Sequence, residues 1–149
     1  MIHLQARHLL LAWLAAAGMA EAATVNASFS PVGPLWEVGL TVINDGAPAE
    51  IGHFTVYLGE DMYSNLALTH SPAGWDSLVV QPDLSLPDAG FLDAMVLPGT
   101  PALTLGQQQA GFKVQFAYSG VGTPGPLHYD ITDASYNLLF QGQTVPVPE

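Results

Sequence analysis

The stretch Trp36-Glu-Val-Gly-Leu-Thr-Val-Ile43, followed directly by Asn44-Asp-Gly46, decides how this chain is read. Trp36, Val38, Leu40 and Val42 alternate with Glu37, Gly39, Thr41 and Ile43. A period of two puts each set on its own face of an extended strand, with one face buried. Asp45-Gly46 then supplies the positive φ that a tight turn wants. A strand with one apolar face cannot bury that face alone, so it calls for partners.

Partners recur on both sides of it. Phe54, Val56 and Leu58 alternate with His53, Thr55 and Tyr57, and Gly59-Glu-Asp61 closes that segment. Phe112, Val114, Phe116 and Tyr118 alternate with Lys113, Gln115 and Ala117. Leu127, Tyr129 and Ile131 mark another strand, and Leu138, Phe140 and Gly142 a last one. Weaker patterns cover 24–30, 65–69, 76–80, 91–96 and 102–105. The 15 Gly and 12 Pro fall mainly between these segments. No helical periodicity and no long repeat appears. The pattern predicts an all-β fold, an antiparallel two-sheet β-sandwich that is Ig-like in the loose sense, with a closed barrel as the alternative. Pro82 to Pro101 reads as the loosest region, with long loops.

Residues 1–22 read as a cleavable signal peptide. Arg7 stands in a short polar start, Leu9 to Ala17 is an apolar run, and Ala20-Glu-Ala22 fits a small-x-small cleavage site. The run is too short for an ordinary transmembrane helix, and no second run of ~20 apolar residues follows to anchor the chain in a bilayer. Residues 23–142 are then the sandwich domain. Residues 143–149, with alternating prolines, read as an extended Pro-rich linker.

The chain of 149 residues has 2 basic residues, Arg7 and Lys113, against 13 acids, for a net charge of −11. Nucleic acids and anionic membrane surfaces are excluded as partners, because neither can be met without a cationic face. The chain has 0 cysteines, which excludes disulfide scaffolds, thiol catalysis and Cys-based zinc sites. Losing Arg7 and Glu21 together leaves the balance unchanged and makes Lys113 the sole cation.

Acidic loops are the candidate metal site. Hard cations such as calcium want several carboxylate and carbonyl oxygens in one loop, and Asp83, Asp88 and Asp93 with Asp76 are the set that could supply them. Otherwise these are solvated acids that keep a secreted domain soluble. No cofactor besides calcium is suggested. His53, His70 and His128 fall on three separate strands or strand ends, so a histidine metal site would need an unforeseen convergence. Trp75 and Tyr63, in Gly- and Ser-flanked segments, are the candidate carbohydrate platform, with core packing as the plain alternative. Ser77 lies beside Asp76, but no Gly-x-Ser-x-Gly elbow occurs, and no catalytic residue is assigned. The chain therefore reads as a non-enzyme.

Val145-Pro-Val-Pro148-Glu149 resembles the lead-in to the Pro-Glu-Pro tag of PEP-CTERM proteins. The body is similar to the low-charge passengers of that family in Asn44-Asp-Gly46, Ala73-Gly-Trp-Asp-Ser77, Gly90-Phe-Leu-Asp-Ala94, Gly111-Phe-Lys-Val-Gln-Phe116 and Gly122-Thr-Pro-Gly125. The third tag residue, the apolar span and the basic cluster do not follow Glu149, so the tag is truncated or absent in this sequence. The resemblance implies processing by an exosortase-type enzyme, sorting to the envelope of a Gram-negative bacterium and release into the extracellular polysaccharide matrix. It carries no catalytic residues. The expected role is structural or adhesive, with a carbohydrate- or calcium-binding module as the alternative.

Overall fold

The computed structural model describes residues 23–46 and 48–148. The signal peptide expected at 1–22 lies outside the described residues, as does Glu149 of the tail. Among the described residues ten strands form: β1 (Thr24–Val32), β2 (Leu35–Ile43), β3 (His53–Leu58), β4 (Tyr63–His70), β5 (Trp75–Val80), β6 (Gly90–Val96), β7 (Gln108–Tyr118), β8 (His128–Thr132), β9 (Leu138–Gln143) and β10 (Val145–Pro146). They build two five-stranded sheets, ordered β10-β1-β2-β7-β4 and β5-β6-β3-β8-β9. Every pairing is antiparallel except β1 with β10. The all-β sandwich expected from the alternation is what forms.

The alternating residues explain the layers. Trp36, Val38 and Leu40 of β2 pair with Phe116, Val114 and Phe112 of β7 along one ladder, and all but the partly buried Trp36 are buried. Phe54, Val56, Leu92, Tyr129 and Ile131 supply the inner face of the other sheet. Phe54 and Phe112 meet edge to face at 4.9 Å across the sandwich. Trp75 closes the same cluster, 5.2 Å from Phe112 and 5.9 Å from Phe54. Each fully buried large side chain is worth ~1.5–3 kcal/mol of hydrophobic transfer. Edge-to-face ring pairs add ~0.5–1.5 kcal/mol each.

Three places sharpen or correct the expectation. First, the chain leaves β2 at Asn44-Asp-Gly46 and crosses to β3 in the other sheet. Gly46 does take a positive φ of 127°. Asn44, however, is buried and works as a tie: its Nδ2 donates to Leu103 O at 2.8 Å, and its Oδ1 accepts from Gly46 N–H at 2.9 Å. Second, 102–105 is no strand; Leu103 makes only an isolated bridge with Ile51. The stretch from Pro82 to Pro101 contains β6, where the weaker strand at 91–96 was expected, and it sits between β5 and β3. Prolines flank that strand and leave its ladder intact.

Third, residues 143–148 of the expected linker pack against the sandwich. Gln143 ends β9, Thr144 is buried, and Val145–Pro146 pairs in parallel with Asn26 and Ala27. Val147 N–H donates to Ala27 O at 2.9 Å. Proline is tolerated there because β10 is an edge strand with an open side.

Candidate functional site

The second sheet turns a chemically distinctive face outward. The residues that alternate with the core set are His53, Thr55 and Tyr57 on β3, Phe91, Asp93 and Met95 on β6, and His128, Asp130 and Thr132 on β8. Register lines them up across strands. Leu78, Asp93, Thr55, Asp130 and Gln141 form one cross-strand row. Such neighbours stand close enough to hydrogen-bond.

At one end lies a hydrogen-bonded chain. Thr132 Oγ1 is 2.7 Å from His53 Nδ1, and His53 Nε2 is 2.7 Å from Asp93 Oδ1. Thr55 Oγ1 also donates to Asp93 Oδ1, at 2.7 Å. His53 is only 2 % exposed. Tyr136 packs edge-on against the imidazole at 4.8 Å and holds a positive φ of 64°, a conformation that costs a tyrosine ~1–2 kcal/mol. The hydrogen bond to Asp93 raises the His53 pKa above 6.5, against the opposing effect of burial. Burial pushes the Asp93 carboxyl up, but hydrogen bonds from His53 and Thr55 outweigh it and hold the group below its usual 3.8. The Asp93 carboxylate and the Asp133 carbonyl can only accept, and the Thr132 hydroxyl can do so too, so the site fits an imidazolium. A hollow of about 560 Å³ opens beside it, lined by Glu50, His53, Met95, Thr132 and Leu139.

The order hydroxyl, imidazole, carboxylate resembles a nucleophile chain on paper. Both ring nitrogens are held by protein oxygens, His53 is buried, and Thr132 ends β8 beside a register shift in its ladder with β9. The arrangement braces the β8–β9 turn against β3.

At the other end stands a strip of rings. Tyr57 lies 6.1 Å from Phe91 and 5.5 Å from His128. Tyr57 Oη donates to Asp130 Oδ2 at 2.9 Å, while Asp130 Oδ1 contacts His128 Nε2 at 2.9 Å and accepts from Gln141 Nε2 at 3.3 Å. Burial, then the Asp130 hydrogen bond, pushes the Tyr57 phenol up to about 12, so it stays neutral. Hollows of about 420 Å³ and 290 Å³ flank the Tyr57 ring, the first lined also by Phe91, Asp83 and Asp88, the second by His128 and Asp61.

The residues singled out from sequence are placed differently. Trp75 is 6 % exposed and Tyr63 5 %, so neither is the exposed platform expected of them. Trp75 is needed between Phe54 and Phe112, and Tyr63 packs on Phe116 and Tyr118. The four aspartates do not converge as a calcium shell. Asp76 stands opposite Met95 on the edge strand β5, Asp93 is engaged by His53 and Thr55, and Asp83 accepts from Ser85 N–H and Oγ–H. Asp83 and Asp88 bridge through their backbones. Among the described residues no three His, Asp or Glu side chains are grouped to hold a metal. The Tyr57–Phe91–His128 strip was missed. Alternation had set Tyr57 away from the core, but the pairing that aligns it with β6 and β8 is not written in any one segment.

No family model matches the chain, and no curated protein matches it. Among solved structures, it is similar to an uncharacterized protein from Nocardia farcinica with an immunoglobulin-like fold, at 20 % identity and TM-score 0.56 over 78 % of this chain and 80 % of that one. A cohesin module from Clostridium perfringens family 33 glycoside hydrolase aligns at 10 % identity and TM-score 0.49, over 86 % of this chain and 100 % of that one. A biomass-sensing module of an Rsgi-like protein from Clostridium thermocellum aligns at 10 % identity and TM-score 0.48, over 80 % and 97 %. The first of these likenesses, with the two-sheet topology, shows the fold: this chain is an immunoglobulin-like β-sandwich.

Proposed function

We propose that the chain is a secreted, non-enzymatic module of the bacterial envelope or extracellular polysaccharide matrix, with a structural or adhesive role. The observation that carries this is the outward face of β5-β6-β3-β8-β9. It presents rings, hydroxyls and carboxylates in aligned rows, and those strands contain no Lys or Arg. Its Thr132–His53–Asp93 chain is spent on bracing a turn. The signal-peptide pattern at 1–22 and the PEP-CTERM resemblance of the tail support delivery outside the cell by an exosortase-type system. Expression with an internal tag, followed by fractionation and N-terminal sequencing, tests this reading. Protein in the matrix fraction that starts near Ala23 is the expected result. Intact Met1 in cytoplasmic material alone would overturn it.

A further inference from the structure

We propose that the groove on either side of Tyr57 binds a polysaccharide chain that carries free amino groups, a polymer of the glucosamine type. This rests on the matrix reading above and names its ligand. The geometry has three parts. First, Tyr57 is a shared wall: a hollow of about 420 Å³ lies on its Phe91 side and one of about 290 Å³ on its His128 side. Two adjacent hollows with one ring between them suit consecutive units of a chain better than a single small molecule. Second, the rings follow one another across β6, β3 and β8 at 6.1 and 5.5 Å, close to the ~4.8 Å strand spacing. Flat apolar ring faces stack on the C–H faces of pyranoses, and the carboxylates that line the two hollows can accept from their hydroxyls.

Third, each hollow carries carboxylates. Asp83 and Asp88 line the larger and Asp61 the smaller. Asp130 and Asp93 stand in the next row on the same face. Lys113, the sole basic residue among those described, sits on β7 of the opposite sheet. An anionic sugar chain would meet the carboxylates of Asp61, Asp83 and Asp88, with His128 the one lining side chain able to carry positive charge. A primary ammonium on a sugar meets carboxylates and the faces of Tyr57 and Phe91, both of which favour a cation.

Isothermal titration with a fully deacetylated glucosamine hexamer at ~0.15 M salt tests the assignment, the salt serving to screen diffuse attraction. Its N-acetylated counterpart, a neutral cellulose hexamer and oligolysine are the comparisons. The glucosamine hexamer is expected to bind most tightly. Tyr57→Ala and Phe91→Ala should each weaken it roughly 3- to 30-fold, the span of one cation–ring contact. Tyr57→Phe keeps the ring and should keep most of the affinity. Asp88→Asn, at an exposed side chain outside the core, should weaken binding without altering the melting curve. Glu37→Gln on the opposite sheet removes the same charge and should change nothing.

Equal loss with Glu37→Gln, or oligolysine binding as tightly as the sugar, would reduce the effect to net charge and overturn the proposal. Tighter binding of cellulose or of the acetylated hexamer would overturn the amine assignment while leaving a polysaccharide-binding module. Absence of binding to every sugar, with the protein still in the matrix fraction, would overturn the site and leave the structural role standing.

Discussion

His53 Nε2 stands 2.7 Å from Asp93 Oδ1, across the ladder between β3 and β6, with both ring nitrogens held by protein oxygens. The pair ties stability to pH. His53 titrates above 6.5, so its stabilisation is complete below that value and is lost as pH rises through the higher folded pKa. Asp93 titrates below 3.8, so its contribution is present above that value and fades as pH falls through the lower folded pKa. The pair is therefore worth most in mildly acidic solution. Thermal melts of the native chain and of His53→Gln, from about pH 5 to about pH 9, should show the native advantage shrinking towards alkaline pH. A gap independent of pH would refute the charged pair.

Trp75 and Phe91 should separate stability from ligand contact. Trp75→Ala opens a void between Phe54 and Phe112 and should cost ~3–5 kcal/mol in chemical denaturation. Phe91→Ala, on the partly exposed face, should cost less than half of that. A mild Trp75→Ala phenotype would contradict its place in the core.

Asn44 offers a test of a buried polar tie. Asn44→Ala should destabilise by ~1–3 kcal/mol, since three hydrogen bonds around it disappear. Asn44→Asp keeps the shape but turns a carboxylate oxygen towards the carbonyls of Leu103 and Ala49. It should cost at least as much as alanine in urea titrations.

Residues 144–148 should be needed for a monomeric fold. Their removal strips β10 from β1 and unpairs Leu127, whose N–H donates to Thr144 Oγ1 at 2.9 Å and whose O accepts from Thr144 N–H at 2.8 Å. Loss of ~1–3 kcal/mol is expected, with concentration-dependent association seen by sedimentation velocity as the β1 edge becomes free. A truncated chain that is monomeric and fully stable would return these residues to the status of a linker.

The sandwich was legible because its strands announce themselves locally. Each of Trp36 to Ile43, His53 to Leu58 and Phe112 to Tyr118 shows which face goes inward, and the core draws on that face, although on β3 His53 and Thr55 of the other face are covered as well. What alternation cannot express is which strand lies beside which. Thr55 meets both Asp93 and Asp130 only because β3 runs between β6 and β8, partners 38 and 75 residues further along the chain. The histidine brace and the ring strip are products of that pairing. Trp75 misled for a related reason. Gly74 and Ser77 around it look like loop, yet Gly74, at φ 84°, is the turn that delivers the indole into the core. The tail misled because proline usually ends a ladder, and here it lies where only one side of the strand needs partners.

The parallel joint between β1 and β10 gives the domain a mechanical character. Thr24 begins β1 at one end of the sheet, and the chain leaves β10 past Val147 in the same direction. Tension drawn between Ala23 and Pro148 therefore slides the two strands lengthwise. The bonds that join Asn26 and Ala27 to the tail must then yield together instead of peeling one by one. A module held by its two ends in a stressed matrix would meet load at this joint first, in shear, before the sandwich behind it is disturbed.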